Sequence, residues 1–268
     1  MATKSKKNIK SDENTIKPSA EQSAKKGFFR NMSKTTLLVL LIVVCGGIAL
    51  FTTIAVIAHN NSLRASSAEY DHLRGIAGNL EPDSDESASN QLSALDIEML
   101  RINPDYVCWI RIDGTGIDYP VVRGSDNEKY IHTSFEGEEN IAGAIFMDYR
   151  NVGEPIPHII IYGHNLQRGG MFSELRSLLN PEFREENNII TLIINGNEVE
   201  FEIFAARLTD IHDPAYTLDF SHQRYFARFA DNIDAPLHAT QVLTLSTCAR
   251  RDGGGDARIL VHGYRLFD

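Results

Sequence analysis

The chain has 268 residues, 43% apolar and 23% charged, with 26 basic against 36 acidic side chains and a net charge of −10. That length accommodates one or two domains, and the acidity argues against a general nucleic-acid binder, which needs a basic face. Three cysteines exclude a disulfide-stapled scaffold and a multi-cysteine zinc module.

Charge and apolar residues are unevenly spread. Residues 1–35 carry nine basic and three acidic side chains, +6 against −16 for the remainder, and almost nothing apolar before Phe28. This predicts a disordered, cytoplasmic basic tail. Residues 36–58 read as a membrane span: Leu37 to Ala58 is a run of 22 uncharged residues, and a helix needs about 20 to cross a bilayer. The run is longer than the roughly 7–15-residue apolar core of a cleaved signal peptide, and a buried core helix seldom runs so far without a polar residue. The basic flank precedes it and His59 to Ser62 are neutral. The positive-inside tendency then orients a single-pass protein with residues 59–268 outside the cell membrane. Residues 59–90 predict a short helix over 66–80, capped by Ser66 or Ser67, and an acidic linker over 81–90.

The folded domain is expected over 91–268. Leu92, Leu95, Ile97, Met99 and Leu100 mark a helix stopped at Asn103-Pro104. Strands are expected over Val107–Ile112, Asp118–Val122, Ala144–Met147 and His158–Tyr162. Met171 to Leu179 has helical spacing. Asn195-Gly196 joins Ile189–Ile194 to Glu198–Leu208 as a hairpin, because Asn-Gly favours positive φ. Asp219 to Ile233 reads as a helix, and Gln241–Thr247 and Arg258–Leu266 as closing strands. About eight short strands with a few inserted helices predict a mainly β fold, a closed or partly closed barrel.

Two cysteines lie in this domain. Cys108 sits within a strand beside Trp109 and reads as a buried thiol, although a disulfide with Cys248 is conceivable. Cys248 ends the strand VLTLST before the loop ARRDGGGDAR, with Arg250, Arg251 and Arg258 close by. A strand-end thiol near positive charge favours the nucleophilic thiolate. A cysteine nucleophile needs an acid/base partner and an oxyanion stabiliser. His164 emerges after HIIIY through Gly163. His262 is a rival, on the last strand four residues after Arg258 and roughly 13 Å from it. His72, His222 and His238 look like exposed positions. The residues alone give a membrane-tethered β domain with one reactive thiol and no defined reaction.

Thr244-Leu245-Ser246-Thr247-Cys248, Arg258 ten residues on, and Tyr162-Gly163-His164-Asn165 upstream together resemble the sortases. Asn103-Pro104-Asp105 before Trp109-Ile110, Asp118-Tyr119-Pro120-Val121, Met171-Phe172 with Leu175, and the helical segment 219–233 are similar to class B. The resemblance covers about residues 92–268. It implies an eight-stranded sortase-like barrel preceded by an N-terminal helix, and a cysteine transpeptidase needing no metal or cofactor. Cys248 would attack after a Thr in the C-terminal sorting signal of a secreted protein. His164 would carry the proton and Arg258 would hold substrate and oxyanion, with Thr247, Ser246 and Asn165 lining the substrate. The acceptor would be an amine of a peptidoglycan precursor or, as an alternative, a pilin lysine. Cys108 departs from the pattern, standing where many relatives carry a small residue such as glycine. Another cell-envelope thiol hydrolase, which would promote His262, and a non-enzymatic surface domain are the rival readings.

Overall fold

The computed structural model describes residues 33–80, 92–153, 156–167, 169–220, 223–250 and 255–266. Most of the basic tail and the acidic linker over 81–90 lie outside the described residues. The chain divides into two compact units, Met1–Ile57 and Ala58–Asp268.

The described part of the first unit is helical. It belongs to α1, Lys34–Asn79, which is long and apolar enough to cross a membrane, with a mean hydropathy of 2.8 over its most apolar window. Leu37 to Ile57 expose their large apolar side chains.

In the second unit α1 continues to Asn79 with no interruption. The separate helix starting at Ser66 or Ser67 is therefore corrected. Neither serine caps. Ser66 is buried, and the Ser67 hydroxyl donates to the Leu63 carbonyl four residues back, at 3.1 Å. With no Pro or Gly between Ile48 and Arg74, nothing in the sequence stops the helix. Its C-terminal half packs on the domain through Tyr70 and Leu73, and the Tyr70 hydroxyl donates to the Gly143 carbonyl at 3.1 Å.

A short helix α2, Ala94–Ile102, precedes the strands. Ser93 and Asp96 cap it reciprocally, each side chain taking a backbone N–H of the other, so two otherwise orphaned donors are satisfied. Eight strands follow: β1 Tyr106–Ile112, β2 Ile117–Val122, β3 Ile145–Met147, β4 His158–Tyr162, β5 Ile189–Ile194, β6 Asn197–Asp210, β7 Val242–Cys248 and β8 Ala257–Arg265. They close a barrel in the order β1-β2-β3-β4-β7-β8-β6-β5, sealed by β1 against β5. The β2–β3 and β4–β7 pairs are parallel and the others antiparallel.

The barrel closes because alternate residues of each strand face one interior. Leu243 and Leu245 of β7, Ile259 and Val261 of β8, Ile159 and Ile161 of β4 and Val121 of β2 meet there in one cluster. Each such side chain contributes about 1.5–3 kcal/mol when taken out of water. The indole N–H of Trp109 donates to Asp118 across β1–β2 at 2.7 Å, which satisfies its polar tip. The Asn195-Gly196 turn has φ of 51° and 74°, as its hairpin demands.

Two helical expectations change in kind. Met171 to Leu179 contributes a 3₁₀ helix, Ser173–Leu179, followed by α3, Pro181–Glu186. Asn180 ends the first and caps the second, so the Asn-Pro pair starts a helix as well as stopping one. Between β6 and β7 the chain makes a 3₁₀ turn, Pro214–Tyr216, and α4, Gln223–Asn232, shorter than its apolar pattern. This insertion covers the outside of the barrel: Ala215, Phe229 and Ile233 pack on Val242 of β7 and Leu260 of β8 in a second cluster.

Candidate active site

The end of β7 and the start of β8 set the geometry. Cys248 is the last residue of β7 and lies directly opposite Arg258 in the antiparallel register. Ten residues separate the thiol and the guanidinium in sequence. Cys248 is half-buried. Nη1 of Arg258 donates to the carbonyls of Gly255 and Ala257, both at 3.0 Å, which holds the guanidinium at the strand start.

His164 arrives from β4. That strand runs parallel to β7, with Tyr162 opposite Ser246, so both strands finish at the same end of the barrel. Gly163 is required at the exit: a Cβ there would stand 2.4 Å from Ile145 Cδ1 and 2.9 Å from the Phe172 ring. The turn that follows is bonded to β7 three times. Gly163 N–H donates to the Ser246 carbonyl at 3.2 Å, the Thr247 hydroxyl to the Gly163 carbonyl at 2.7 Å, and Asn165 Nδ2 to the Cys248 carbonyl at 2.8 Å.

The His164 ring has a defined proton arrangement. Its Nε2 lies 2.8 Å from the Ile131 carbonyl. A carbonyl only accepts, so Nε2 carries the proton and Nδ1 keeps a lone pair in the neutral ring. Burial pushes its pKa down, the Ile131 carbonyl opposes this, and His132 adds to the lowering from a ring stacked 6.5 Å away. The free base is therefore the ground state near neutrality.

Cys248, His164, Arg258, Ser246, Thr247 and Asn165 all line one cavity of about 950 Å³. Their shares differ. The Thr247 hydroxyl is spent on Gly163, whereas Ser246 shares a hydrogen bond with the Tyr216 hydroxyl at 2.9 Å. Asn165 is buried, and its Oδ1 has no hydrogen-bond partner, which leaves an acceptor beside the thiol. His262 stands apart. It faces Thr244 across the strands, two same-face pairs from Cys248–Arg258, and is fully buried. Its pKa is pushed down by burial to about 3. Cys108 is buried and free, its thiol pushed up by burial. His72 and His238 are exposed, as is Arg250, and His222 and Arg251 lie outside the described residues.

Tyr216, Tyr162 and His132 also line the cavity. Sequence reasoning passed over Tyr216 and His132, which sit in no motif, and named Tyr162 only as part of the run that carries His164. The Asp213-Pro214 turn start was the one local sign that the chain doubles back at Tyr216.

A strand-end thiol, an imidazole and a guanidinium in one half-open cavity are equipped for cysteine-dependent acyl transfer. The comparisons with known proteins agree with that chemistry. The sortase domain profile matches residues 110–266. Sortase B of Staphylococcus aureus (strain NCTC 8325 / PS 47) is 32% identical over 171 residues, covering 60% of this chain and 70% of its own. Among solved structures, sortase B of Clostridium perfringens is 30% identical with a TM-score of 0.59, over 64% of this chain and 99% of its own. A Staphylococcus aureus sortase B–substrate complex is 25% identical with a TM-score of 0.64, over 76% and 97%. The chain belongs to the sortase family, in class B. Its members are cysteine transpeptidases that act in anchoring proteins to the cell wall.

Proposed function

We propose that this sortase cleaves the C-terminal sorting signal of secreted proteins after a Thr and transfers the acyl group to an amine of a peptidoglycan precursor. The observation that carries the reading is that Cys248 and Arg258 are register partners and share one cavity with His164. The Cys248 thiol gives its proton to the free-base His164 as its sulfur attacks the Thr carbonyl, and the Arg258 guanidinium stabilises the oxyanion as a charge-assisted donor. Collapse breaks the peptide bond, and the His164 imidazolium so formed gives that proton to the leaving amine. The incoming amine then attacks the thioester, His164 Nδ1 takes its proton, and the thiolate leaves. The Ile131 carbonyl on Nε2 holds the ring in the tautomer this needs. Asn165, Ser246 and Thr247, which line the cavity, would border the bound peptide. Residues 36–58 anchor the enzyme with the tail of residues 1–35 in the cytoplasm and with both the helix and linker of residues 59–90 and the 91–268 domain outside, where its substrates emerge.

The test uses the full-length protein in detergent and a pool of quenched peptides with Thr fixed at the cleaved position. Mass spectrometry is expected to find the acyl adduct on Cys248, and Cys248→Ala to lose all cleavage. An adduct on Cys108, or cleavage by Cys248→Ala, overturns the reading. Protease treatment of protoplasts tests the topology: removal of the C-terminal domain is expected, and its protection would reverse the orientation.

A further inference from the structure

The outer face of β4, β7 and β8 carries a second polar group that the chemistry above does not use. His158 Nε2 lies 2.8 Å from the Thr244 hydroxyl, and that hydroxyl lies 2.9 Å from His262 Nδ1. His158 Nδ1 lies 2.9 Å from the Thr217 carbonyl. All three side chains are buried.

The proton positions follow from one end. The Thr217 carbonyl only accepts, so His158 Nδ1 donates. Burial keeps both rings neutral, so His158 Nε2 is a bare lone pair and accepts from the Thr244 O–H. The single proton of Thr244 is then used, and its oxygen accepts from His262 Nδ1–H. His262 Nε2 is left as a buried lone pair with no hydrogen-bond partner. The chain of bonds runs one way, from His262 to Thr217. Asp148 and Arg150 act electrostatically on the His158 end, Arg207 and Asp213 on the His262 end. Phe229 and Phe204 cover the two rings, 4.5 and 5.8 Å away.

What the relay holds is the roof of the cavity. Thr217 follows Tyr216 at the end of the 3₁₀ turn. The start of that turn is tied to β6, because Asp213 accepts from Arg207 and Thr209. The Tyr216 hydroxyl meets Ser246, and its ring stacks on Tyr162 at 6.5 Å. His158 thus fixes the backbone of Thr217, next in sequence to the Tyr216 that Ser246 fixes at its tip.

The geometry points to His158 as a positioning residue for peptide binding: through the Thr217 carbonyl it sets Tyr216 in the cavity wall, while Thr244 and His262 lock its ring in the Nδ1–H tautomer. This rests on the functional reading above for its kinetic arm alone. ¹⁵N spectra of histidine-labelled full-length protein, assigned with His158→Phe and His262→Phe, are expected to show both rings as neutral Nδ1–H tautomers. An Nε2–H ring at either position overturns the relay. Kinetics use the best-cleaved member of the Thr-fixed peptide pool. His158→Phe is expected to raise KM about tenfold, the scale of one lost hydrogen bond, with kcat changed less than about threefold. His158→Asn, which keeps a donor near Nδ1, should recover most of that loss. Tyr216→Ala should raise KM as well, and combining it with His158→Phe should add nothing further. An unchanged KM in His158→Phe, or additive losses in the pair, rejects the role. Should His158→Phe fail to fold, Thr244→Val takes its place and must show the same KM rise. Cleavage by Cys248→Ala would defeat the functional reading and leave the tautomer result standing.

Discussion

The two faces of β7 and β8 have opposite characters. Inward, Leu243, Leu245, Ile259 and Val261 join an apolar cluster. Outward, Thr244 with His262, then Ser246 with Leu260, then Cys248 with Arg258 form successive cross-strand pairs, the first two covered by the inserted segment and the last opening on the cavity. A period of two lets the same two strands do both: the interior fixes where the strands lie, and the outer face uses that fixed lattice to place polar groups. Inward substitutions should therefore change stability at little cost to turnover per folded molecule, and outward ones at the open end the reverse.

The largest departure from that rule is sought at the open end. His164→Ala should lose about 10²–10⁴ in turnover and Arg258→Ala about 10²–10³, both with unchanged melting temperature. Arg258→Lys should stay impaired, since a point charge does not reproduce the planar fork. Steady-state kinetics beside circular dichroism decide this, and a folded His164→Ala enzyme of normal turnover with a dead His262→Ala would reverse the roles. Leu245→Ala tests the inward face between two outward residues. It should cost about 2–5 kcal/mol in urea unfolding, with cleavage per folded molecule retained.

Acid probes the covered part of the outer face. Burial pushes His158 down to about 4 and His262 to about 3, against an ordinary value of 6.5. Below pH 6.5 the unfolded chain therefore binds protons that the folded one refuses. Stability should be full above that pH and fall as the pH drops from about 6.5 toward 4. Denaturant midpoints across this range check it, and His262→Phe should flatten the slope. A slope unaffected by that change would mean that the ring titrates normally. The smallest effect is expected at Cys108→Ala, a buried thiol that does not line the cavity. It should cost about 1 kcal/mol and leave cleavage intact.

The strands were legible because alternation and turn residues are local. Asn195-Gly196 and the run HIIIY mark their elements unaided. The thiol with its guanidinium was legible for the same reason, since ten residues separate the two on one hairpin. The strand order was not, because β4 meets β7 across a long insertion that no local pattern spans. The relay was hidden for that reason too: His158 and Thr244 are 86 residues apart, and each alone reads as an ordinary buried polar residue. Ser66 misled because a serine after an apolar run has the composition of a cap, while its burial against the domain is a tertiary matter.

The three hydrogen bonds that join the Gly163–Asn165 turn to Ser246, Thr247 and Cys248 have a consequence for how such an enzyme can be changed. They make the exit of one strand and the end of another a single rigid body, so the backbone spacing of thiol and imidazole is set without the 211–240 insertion. That insertion is then an exchangeable part. New peptide preferences can be built by grafting it, with no need to rebuild the reacting pair.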